Sequence, residues 1–372
     1  MTPGGIFMVN SFFYEQPVKI HFGWDKLLEL ESVLDEIGAE KCVIVCSKSS
    51  LERAEKLMKE SRRICGIFSD IRPNPLLSGA AETAELMKKH GADTVIAIGG
   101  GSAIDSAKYS AACAFSEHTA YEHYIDGIPL PEKGAKIVAV PTTAGTGSEV
   151  TKVSVISHEN EKRSIHNPVF MPDVCIVDPA LTMSVPQRTT MITGIDAFTH
   201  AIEAYWSKNH QPITDLYATE SIRIILNNLE KSYEVGDKQS RTNMAYASLL
   251  AGLAFAVPKT AASHACSFPL SAHYHLPHGE ACAFTLDSFI RINADERLEE
   301  LARNVGFENT DALADEINRL KRLSGLAMTL SDVSEDFDVE LIARESAVHP
   351  LMANNPVSLT EDALKKMFEA LR

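Results

Sequence analysis

The chain has 372 residues, of which 45% are hydrophobic and 23% charged, a composition typical of a globular domain rather than a disordered or fibrous one. At roughly 150–200 residues per domain, this length predicts two domains. The formal net charge of −15 argues against nucleic-acid binding, which needs a basic surface, but it leaves room for a locally basic cleft that binds a small anion.

The cysteines, the N-terminus and the apolar segments together indicate the cellular compartment in which we expect the protein. The seven cysteines are scattered and form no CxxC pair, which predicts reduced thiols that serve as small apolar filler. No stretch reaches the roughly 18 apolar residues of a membrane helix, and the N-terminus lacks the pattern of a signal peptide. We therefore expect a cytoplasmic protein that needs no membrane.

The first half of the chain alternates strand and helix patterns. Short β-branched runs predict strands at 41–47, 64–70, 93–101, at the start of 136–151 and at 175–179. Helical spacing predicts helices at 51–63, 78–92 and 102–115. Such alternation predicts a parallel sheet with helices on both faces, which is an α/β dinucleotide-binding architecture.

From about residue 188 the pattern becomes helical throughout. Helices are predicted at 192–207, 215–231, 241–256, 295–306, 310–325 and 338–347. We therefore place a domain boundary in DPALTMSVPQRT, with an α/β dinucleotide-binding domain over 1–186 and an all-helical metal- and substrate-binding domain over 187–372.

Two glycine-rich loops follow strand ends. GGGSAID (99–105) opens a helix, and backbone N–H groups at a helix N-terminus bind phosphate where glycine allows a close approach. The pattern is not GxGxxG, so a turn without a ligand is the alternative. PTTAGTGSE (141–149) follows a second strand, and ligands of open α/β sheets bind at the carboxyl ends of strands. Together the loops favour a dinucleotide site.

The stretch ITGIDAFTHAIEAY (192–205) places Asp196 and His200 four residues apart among apolar residues. On a helix both side chains face the same way, and a buried carboxylate needs a partner. A simple Asp–His hydrogen bond and a metal are the two possibilities. The segment 264–279 supplies further imidazoles, namely His264, His273, His275 and His278. Imidazoles with one carboxylate suit Zn²⁺ or Fe²⁺.

Five ordered motifs together resemble the iron-type (group III) alcohol dehydrogenases: GGGSAID, PTTAGTGSE, VDPALTMSVPQ, GIDAFTHAIEAY and H-x13-H-G. The resemblance runs over nearly the whole chain. It implies hydride transfer between NAD(P)H and a small aldehyde at a divalent metal, and a homodimer or larger assembly. The implied metal ligands, and hence the catalytic residues, are Asp196, His200, His264 and His278.

The same resemblance implies how NAD(P) would lie. The pyrophosphate would cross Gly99, Gly100, Gly101 and Ser102, and Asn74 matches a position near the nicotinamide-side ribose. The other cofactor-lining positions are Asp105, Thr142, Thr143, Thr146, Ser148, Thr151, Lys162 and Leu181. Where the family often has an aspartate for the adenosine ribose, this chain has Ser47 followed by Lys48, so we hypothesise that NADPH is accepted and even preferred.

The substrate side departs from the family pattern. Many members carry a further histidine, next to the substrate, where this chain has Phe268. Its absence leaves the proton path open among His273, His275, water and the cofactor ribose, and the alternative for both histidines is a surface or supporting position.

The segment PKTAASHACSFPL (258–270) resembles the branch of the family that acts on phosphonate- or sulfonate-bearing aldehydes. Lys259 could neutralise such an anion, or it could simply cap a helix end. Hydrogen-bond donors to the anion would come from Thr260, Ser263 and Ser267. The expected substrate is therefore sulfoacetaldehyde or phosphonoacetaldehyde. The alternatives are a general butanol- or propanediol-type dehydrogenase, a cyclase of the dehydroquinate-synthase type and a non-catalytic binder.

Overall fold

A computed structural model describes residues 11–159 and 161–372. The strands are β1 Lys19–Phe22, β2 Cys42–Ser47, β3 Ile64–Ile71, β4 Thr94–Gly99, β5 Lys136–Pro141, β6 Val153–His158, β7 Glu161–His166 and β8 Val174–Val177. Six of them form a parallel central sheet in the order β1-β8-β5-β4-β2-β3, and β6 and β7 form a separate antiparallel hairpin. The parallel sheet predicted from the strand–helix alternation is confirmed.

Five helices accompany these strands in the described part of the first half: α1 Leu30–Glu36, α2 Leu51–Glu60, α3 Leu77–His90, α4 Gly101–Ala114 and α5 Ala120–Ile125. The three helices predicted here are confirmed as α2, α3 and α4. The sequence analysis missed the short helices α1 and α5, and it missed the β6–β7 hairpin. Strand β7 is largely exposed and rich in charge, so it lacks the apolar run that marked the central strands.

The rest of the chain is helical, as predicted, and no strand follows Val177 among the described residues. The helices are α6 Gln187–Trp206, α7 Pro212–Glu234, α8 Lys238–Phe255, α9 Ala262–Tyr274, α10 His278–Ile292, α11 Glu296–Asn304, α12 Thr310–Ser324, α13 Leu330–Val333, α14 Val339–Val348 and α15 Glu361–Glu369. The histidine-rich segment thus forms two helices that were not predicted, in part because Pro269 lies inside α9.

The two parts pack against each other through one continuous apolar core. Val95 of the sheet and Phe198 of α6 belong to the same buried cluster. The proposed boundary between 186 and 187 falls immediately before α6, whose residues are buried on nearly every side. In the described chain, no helix has both the length and the apolar character needed to cross a bilayer.

Glycine brings two of these helices into close contact. A Cβ atom on Gly279 would lie 2.4 Å from the backbone oxygen of Ile192 and 3.0 Å from Cβ of Asp196. Any side chain there would force α10 away from α6. Gly279 therefore sets the start of α10, and with it His278, directly against the helix that carries Asp196.

Candidate metal and dinucleotide site

A cleft of about 190 Å³ lies between the carboxyl ends of the parallel strands and the helical half. Its walls come from the start of α4, the loop after β5, the β6–β7 hairpin and helices α6, α8, α9 and α10. An edge where strand ends meet a second domain is the usual position of ligands in open α/β folds. Both glycine-rich loops and three of the four implied metal ligands line this single cavity.

Asp196 is the centre of a buried polar cluster at the base of the cleft. Its Oδ1 lies 3.8 Å from Nδ1 of His200, 3.7 Å from Nε2 of His264 and 3.8 Å from Nε2 of His278. The Nε2 atoms of His200 and His264 are 3.0 Å apart. The four side chains come from α6, α9 and α10, so the folding of the helical half assembles them from distant sequence positions.

These side chains fit a divalent metal better than they fit one another. Oδ1 of Asp196 and Nδ1 of His200 are both buried and have no hydrogen-bond partner. Unpaired polar atoms of this kind are costly and rare in protein interiors. A cation among one carboxylate and three imidazoles would satisfy them, and this donor set suits Fe²⁺ or Zn²⁺.

Burial sets the protonation of the cluster. Burial raises the pKa of Asp196 to about 6. It also lowers the pKa of His200 and of His278 well below the usual value, which keeps both imidazoles neutral at pH 7. Neutral imidazole is the form that binds a metal. A bound cation would in turn favour the carboxylate form of Asp196.

Glu203 orients the third imidazole, and the sequence analysis missed it. Its fully buried carboxylate accepts hydrogen bonds from the backbone N–H groups of Ala261 (2.8 Å) and Ser263 (2.6 Å) and contacts Nδ1 of His264 at 2.6 Å. Contact at Nδ1 leaves Nε2 directed toward Asp196. The available signal was spacing, because Glu203 follows Asp196 by seven residues and so shares its helix face.

His264 differs from the other two imidazoles in its charge. Burial disfavours the charged form, but Cys282 and Glu203 together raise the pKa of His264 well above the usual value. In metal sites generally, a carboxylate that contacts the other nitrogen of a metal-binding imidazole fixes the orientation of the ring and makes the imidazole a more basic ligand. A metal at Nε2 would take the place of that proton.

Cys282 is a second residue whose position the sequence analysis did not anticipate. It lies one turn after His278 on α10, and its Sγ is 3.9 Å from Nε2 of His278. Ligand atoms of Asp196, His264, His278 and Cys282 all lie within 4.8 Å of one another. The interpretation of every cysteine as apolar filler does not describe this one.

The two glycine-rich loops meet at the upper end of the cleft. A Cβ atom on Gly101 would lie 2.7 Å from Cγ2 of Thr146, and one on Gly100 would lie 3.1 Å from Oγ1 of Thr143. The first turn of α4 is thus held directly against the loop after β5. Backbone N–H groups at such a helix start are suited to a pyrophosphate.

A buried network underneath keeps the second loop in place. Asp105 accepts hydrogen bonds from Oγ of Ser148 (2.6 Å) and N–H of Val155 (3.1 Å). Nζ of Lys108, fully buried on α4, donates to the backbone oxygens of Ser148 (2.7 Å) and Thr151 (2.8 Å). Lys108 was not predicted as a site residue. Its burial next to these loops could be seen only once α4 and the loop were packed together.

Some of the predicted cofactor-binding residues line the cleft, and the others lie behind its surface. Those lining the cavity are Asn74, Gly101, Ser102, Asp105, Thr146, Ser148, Thr151 and Lys162. Gly99, Gly100, Thr142, Thr143 and Leu181 do not line it. Ser47 ends β2 and lies beside the glycine loop, since a Cβ on Gly99 would be 3.8 Å from its backbone nitrogen. Lys48 is exposed and pairs with Asp70 at 3.5 Å.

Two lysines line the cleft. Nζ of Lys162 lies 5.6 Å from the ring centre of Phe268, and Lys259 lies in the loop between α8 and α9 with a left-handed φ of 64°. A lysine in that backbone conformation is strained, which is common at functional sites. Burial and the charges of Lys259 and Lys152 lower the pKa of His166, another lining residue, to about 4. The Lys259 charge therefore reaches into the cavity.

Among the other predicted substrate residues, Thr260 and Phe268 line the cleft but the two serines do not. Ser263 and Ser267 are fully buried, and Oγ of Ser267 donates to the backbone oxygen of His264 at 2.8 Å. His273 lies outside the cavity, where its Nε2 pairs with Glu345 at 2.9 Å.

His275 follows α9 in a left-handed conformation (φ 57°) and also lies outside the cavity. Neither His273 nor His275 therefore lies at the substrate-side position where many family members carry a further histidine and this chain has Phe268. Phe268, which occupies that place, stacks on His349 with ring centres 4.4 Å apart.

Comparisons with known proteins identify the family of this chain. The model of the Fe-containing alcohol dehydrogenase family, C-terminal, matches residues 190–372, and that of the iron-containing alcohol dehydrogenases matches residues 17–179. The chain belongs to the iron-containing alcohol dehydrogenase family. A long-chain-alcohol dehydrogenase of Geobacillus thermodenitrificans is 32% identical over 95% of both chains. An NADPH-dependent butanol dehydrogenase of Clostridium saccharobutylicum is 34% identical over 95% of this chain and 96% of its own.

A solved structure gives the same result at the level of the fold. Sulfoacetaldehyde reductase from Bifidobacterium kashiwanohense, in complex with NAD⁺, superimposes with a TM-score of 0.93 at 39% identity, covering 97% of this chain and 99% of that one. The predicted family and fold are confirmed. This member of the iron-containing alcohol dehydrogenases is an oxidoreductase of the alcohol dehydrogenase and aldehyde reductase type. The cyclase and the non-catalytic binder are thereby disfavoured.

Proposed function

We propose that this dehydrogenase reduces a small aldehyde with an anionic tail, such as sulfoacetaldehyde or phosphonoacetaldehyde, to its primary alcohol. The observation that carries the proposal is the charge of the cleft. Lys162 and Lys259 line it, and Asp105 is the one acidic lining residue in the described chain, already bonded to Ser148 and Val155. A basic cleft on a chain of net charge −15 is suited to an anion.

The chain's similarity to a sulfoacetaldehyde reductase supports the same substrate class. Burial lowers the pKa of Lys162, so an anion next to Nζ would stabilise its charged form. Lys259 and Thr260 would contribute a second charge and a hydroxyl donor. Ser263 and Ser267 would act from behind the wall by supporting α9.

We propose that Asp196, His200, His264 and His278 hold Fe²⁺ or Zn²⁺ and so form the catalytic centre. When bound, the metal polarises the carbonyl group as a Lewis acid. The start of α4 would bind the cofactor pyrophosphate, and the cleft would hold nicotinamide and aldehyde together. Phe268, which lines the cleft, has no proton to donate. The proton for the product hydroxyl would therefore come through water or the cofactor ribose.

Replacing Lys259 with alanine should separate anionic from neutral substrates. We expect KM for sulfoacetaldehyde to rise about 10-fold, the effect of losing one hydrogen bond to a charged group, while KM for propanal stays nearly constant. Lys152→Ala is the matched control, because Lys152 also lies near His166 but does not line the cleft. Equal changes for both aldehydes in Lys259→Ala would argue against an anion-binding role.

We further propose that NADPH is accepted and even preferred. Ser47 carries no charge to repel a 2′-phosphate, and Lys48 can exchange its exposed pairing with Asp70 for that phosphate. The relatives include an enzyme named NADPH-dependent and one crystallised with NAD⁺. Wild type should give kcat/KM for NADPH at least equal to that for NADH, and Lys48→Ala should lower only the NADPH value. A strong NADH preference of the wild type would overturn this proposal.

A general short-chain alcohol dehydrogenase of the butanol or propanediol type is the second candidate. It is favoured by the apolar part of the cleft, where Phe255, Phe268 and Leu351 would suit an alkyl chain, and by similarity to a butanol dehydrogenase. We also propose a cytoplasmic homodimer or higher homo-oligomer of this two-domain chain. Sedimentation analysis would test the assembly state.

A further inference from the structure

The metal cluster contains a thiol in addition to its carboxylate and imidazoles. Cys282 and His278 are one turn apart on α10, so they face the same side of that helix. Sγ of Cys282 is 3.9 Å from Nε2 of His278. The potential ligand atoms of four residues lie within 4.8 Å of one another, which is close enough for them to share one ion. The four residues are Asp196, His264, His278 and Cys282.

Asp196 provides a second, separate observation. Oδ1 of Asp196 is buried without a hydrogen-bond partner, and the Asp196 side chain is only 4% exposed. The thiol of Cys282 belongs to the same cluster but does not provide Oδ1 of Asp196 with a hydrogen-bond partner, since a thiol is a weak donor. The oxygen and the sulfur are thus both available to one cation.

The other cysteines do not share this environment. Cys266 is equally buried and lies on α9, two residues after His264, yet it is outside the set of convergent ligand atoms. Cys42, Cys46 and Cys175 belong to the central strands. Position, rather than burial alone, distinguishes Cys282.

We propose that Cys282 is a fifth donor of the metal site and that its thiolate binds directly when the metal is zinc or cobalt. The inference rests on the metal site proposed above. As the sulfur–metal bond forms, the S–H proton is released to solvent, and no electron is transferred. Thiolate is a soft ligand that favours zinc-like ions over Mg²⁺ or Mn²⁺. Cys282 would therefore bias metal selection toward zinc and cobalt.

Cobalt-loaded protein provides a readout that is independent of turnover. In wild type we expect a thiolate-to-cobalt charge-transfer band in the near ultraviolet, together with visible bands from the metal itself. Cys282→Ser should abolish the near-ultraviolet band but keep the visible bands, because Asp196 and the histidines remain. Cys266→Ala is the matched control and should retain both. Zinc X-ray absorption of the wild type should show one sulfur at about 2.3 Å.

Affinity supplies the selectivity test. Cys282→Ser should weaken Zn²⁺ binding about 10-fold or more while changing Mn²⁺ binding little. Visible bands without a charge-transfer band in wild type, and no sulfur in the zinc spectrum, would overturn the role of Cys282 while leaving the metal site intact. Absence of all cobalt bands would instead contradict the metal site itself.

Discussion

Asp196→Asn should abolish metal binding and lower kcat/KM for any aldehyde by about 1000-fold, the scale expected when a main electrostatic stabiliser of the reaction is lost. The amide has the shape of the carboxylate but no charge, and Oδ1 of Asp196 lies 3.7–3.8 Å from a nitrogen of each of the three imidazoles. Metal content by elemental analysis and steady-state kinetics would measure the two effects together.

The fold of this variant should remain intact. Asp196 has no hydrogen-bond partner at Oδ1, so a neutral amide removes a buried charge without breaking a bond there. Metal-free Asp196→Asn should melt at or above the temperature of the metal-free wild type. Thr199→Ala on the same helix is the control, because Thr199 bonds only to the backbone oxygen of Ile195 and should leave metal content unchanged. Full metal occupancy in Asp196→Asn would contradict the proposed ligand set.

Glu203→Gln should weaken metal affinity by about 10- to 100-fold, the usual effect of losing a carboxylate that supports a metal-binding histidine. One side-chain oxygen of Glu203 accepts from Ala261 and contacts His264, and the other accepts from Ser263. A glutamine must place an NH₂ group against one of these donors. At least one buried donor is then unpaired, which costs about 1–3 kcal/mol of folding free energy.

Metal titration and denaturant unfolding would separate the two consequences of Glu203→Gln. Glu149→Gln serves as a control, since Glu149 is also a buried glutamate but lies on none of the helices that carry the four candidate ligands. It should change stability without changing metal affinity. Glu203→Gln with wild-type affinity would show that His264 is oriented by backbone packing alone.

The family resemblance, together with local spacing and residue type, predicted the set of four candidate ligands. Asp196 and His200 lie one turn apart, and His264 and His278 belong to a dense histidine segment. Glu203 shares a face of α6 with Asp196, and Cys282 shares a face of α10 with His278. Spacing alone does not show which face of a helix points toward the metal site. That information came only from the packing of α6, α9 and α10.

The substrate side was harder to predict for a related reason. Residues 258–270 were interpreted as one functional segment, yet they run from the loop after α8 into α9. Lys259 and Thr260, before α9 begins, reach the cleft, whereas Ser263 and Ser267 face the core. The β6–β7 hairpin that carries Lys162 was missed because its strands alternate weakly and one is mostly exposed. Proximity in sequence did not distinguish the residues that line the cleft from the buried residues behind them.

The most direct test is turnover of metal-loaded enzyme with NADH and NADPH on sulfoacetaldehyde, phosphonoacetaldehyde and butanal side by side. The basic cleft predicts that an anionic aldehyde exceeds butanal in kcat/KM by about 100-fold or more, nearly 3 kcal/mol of discrimination at about 1.36 kcal/mol per decade. Equal kcat/KM values for butanal and the anionic aldehydes would contradict anion recognition and identify a general short-chain alcohol dehydrogenase.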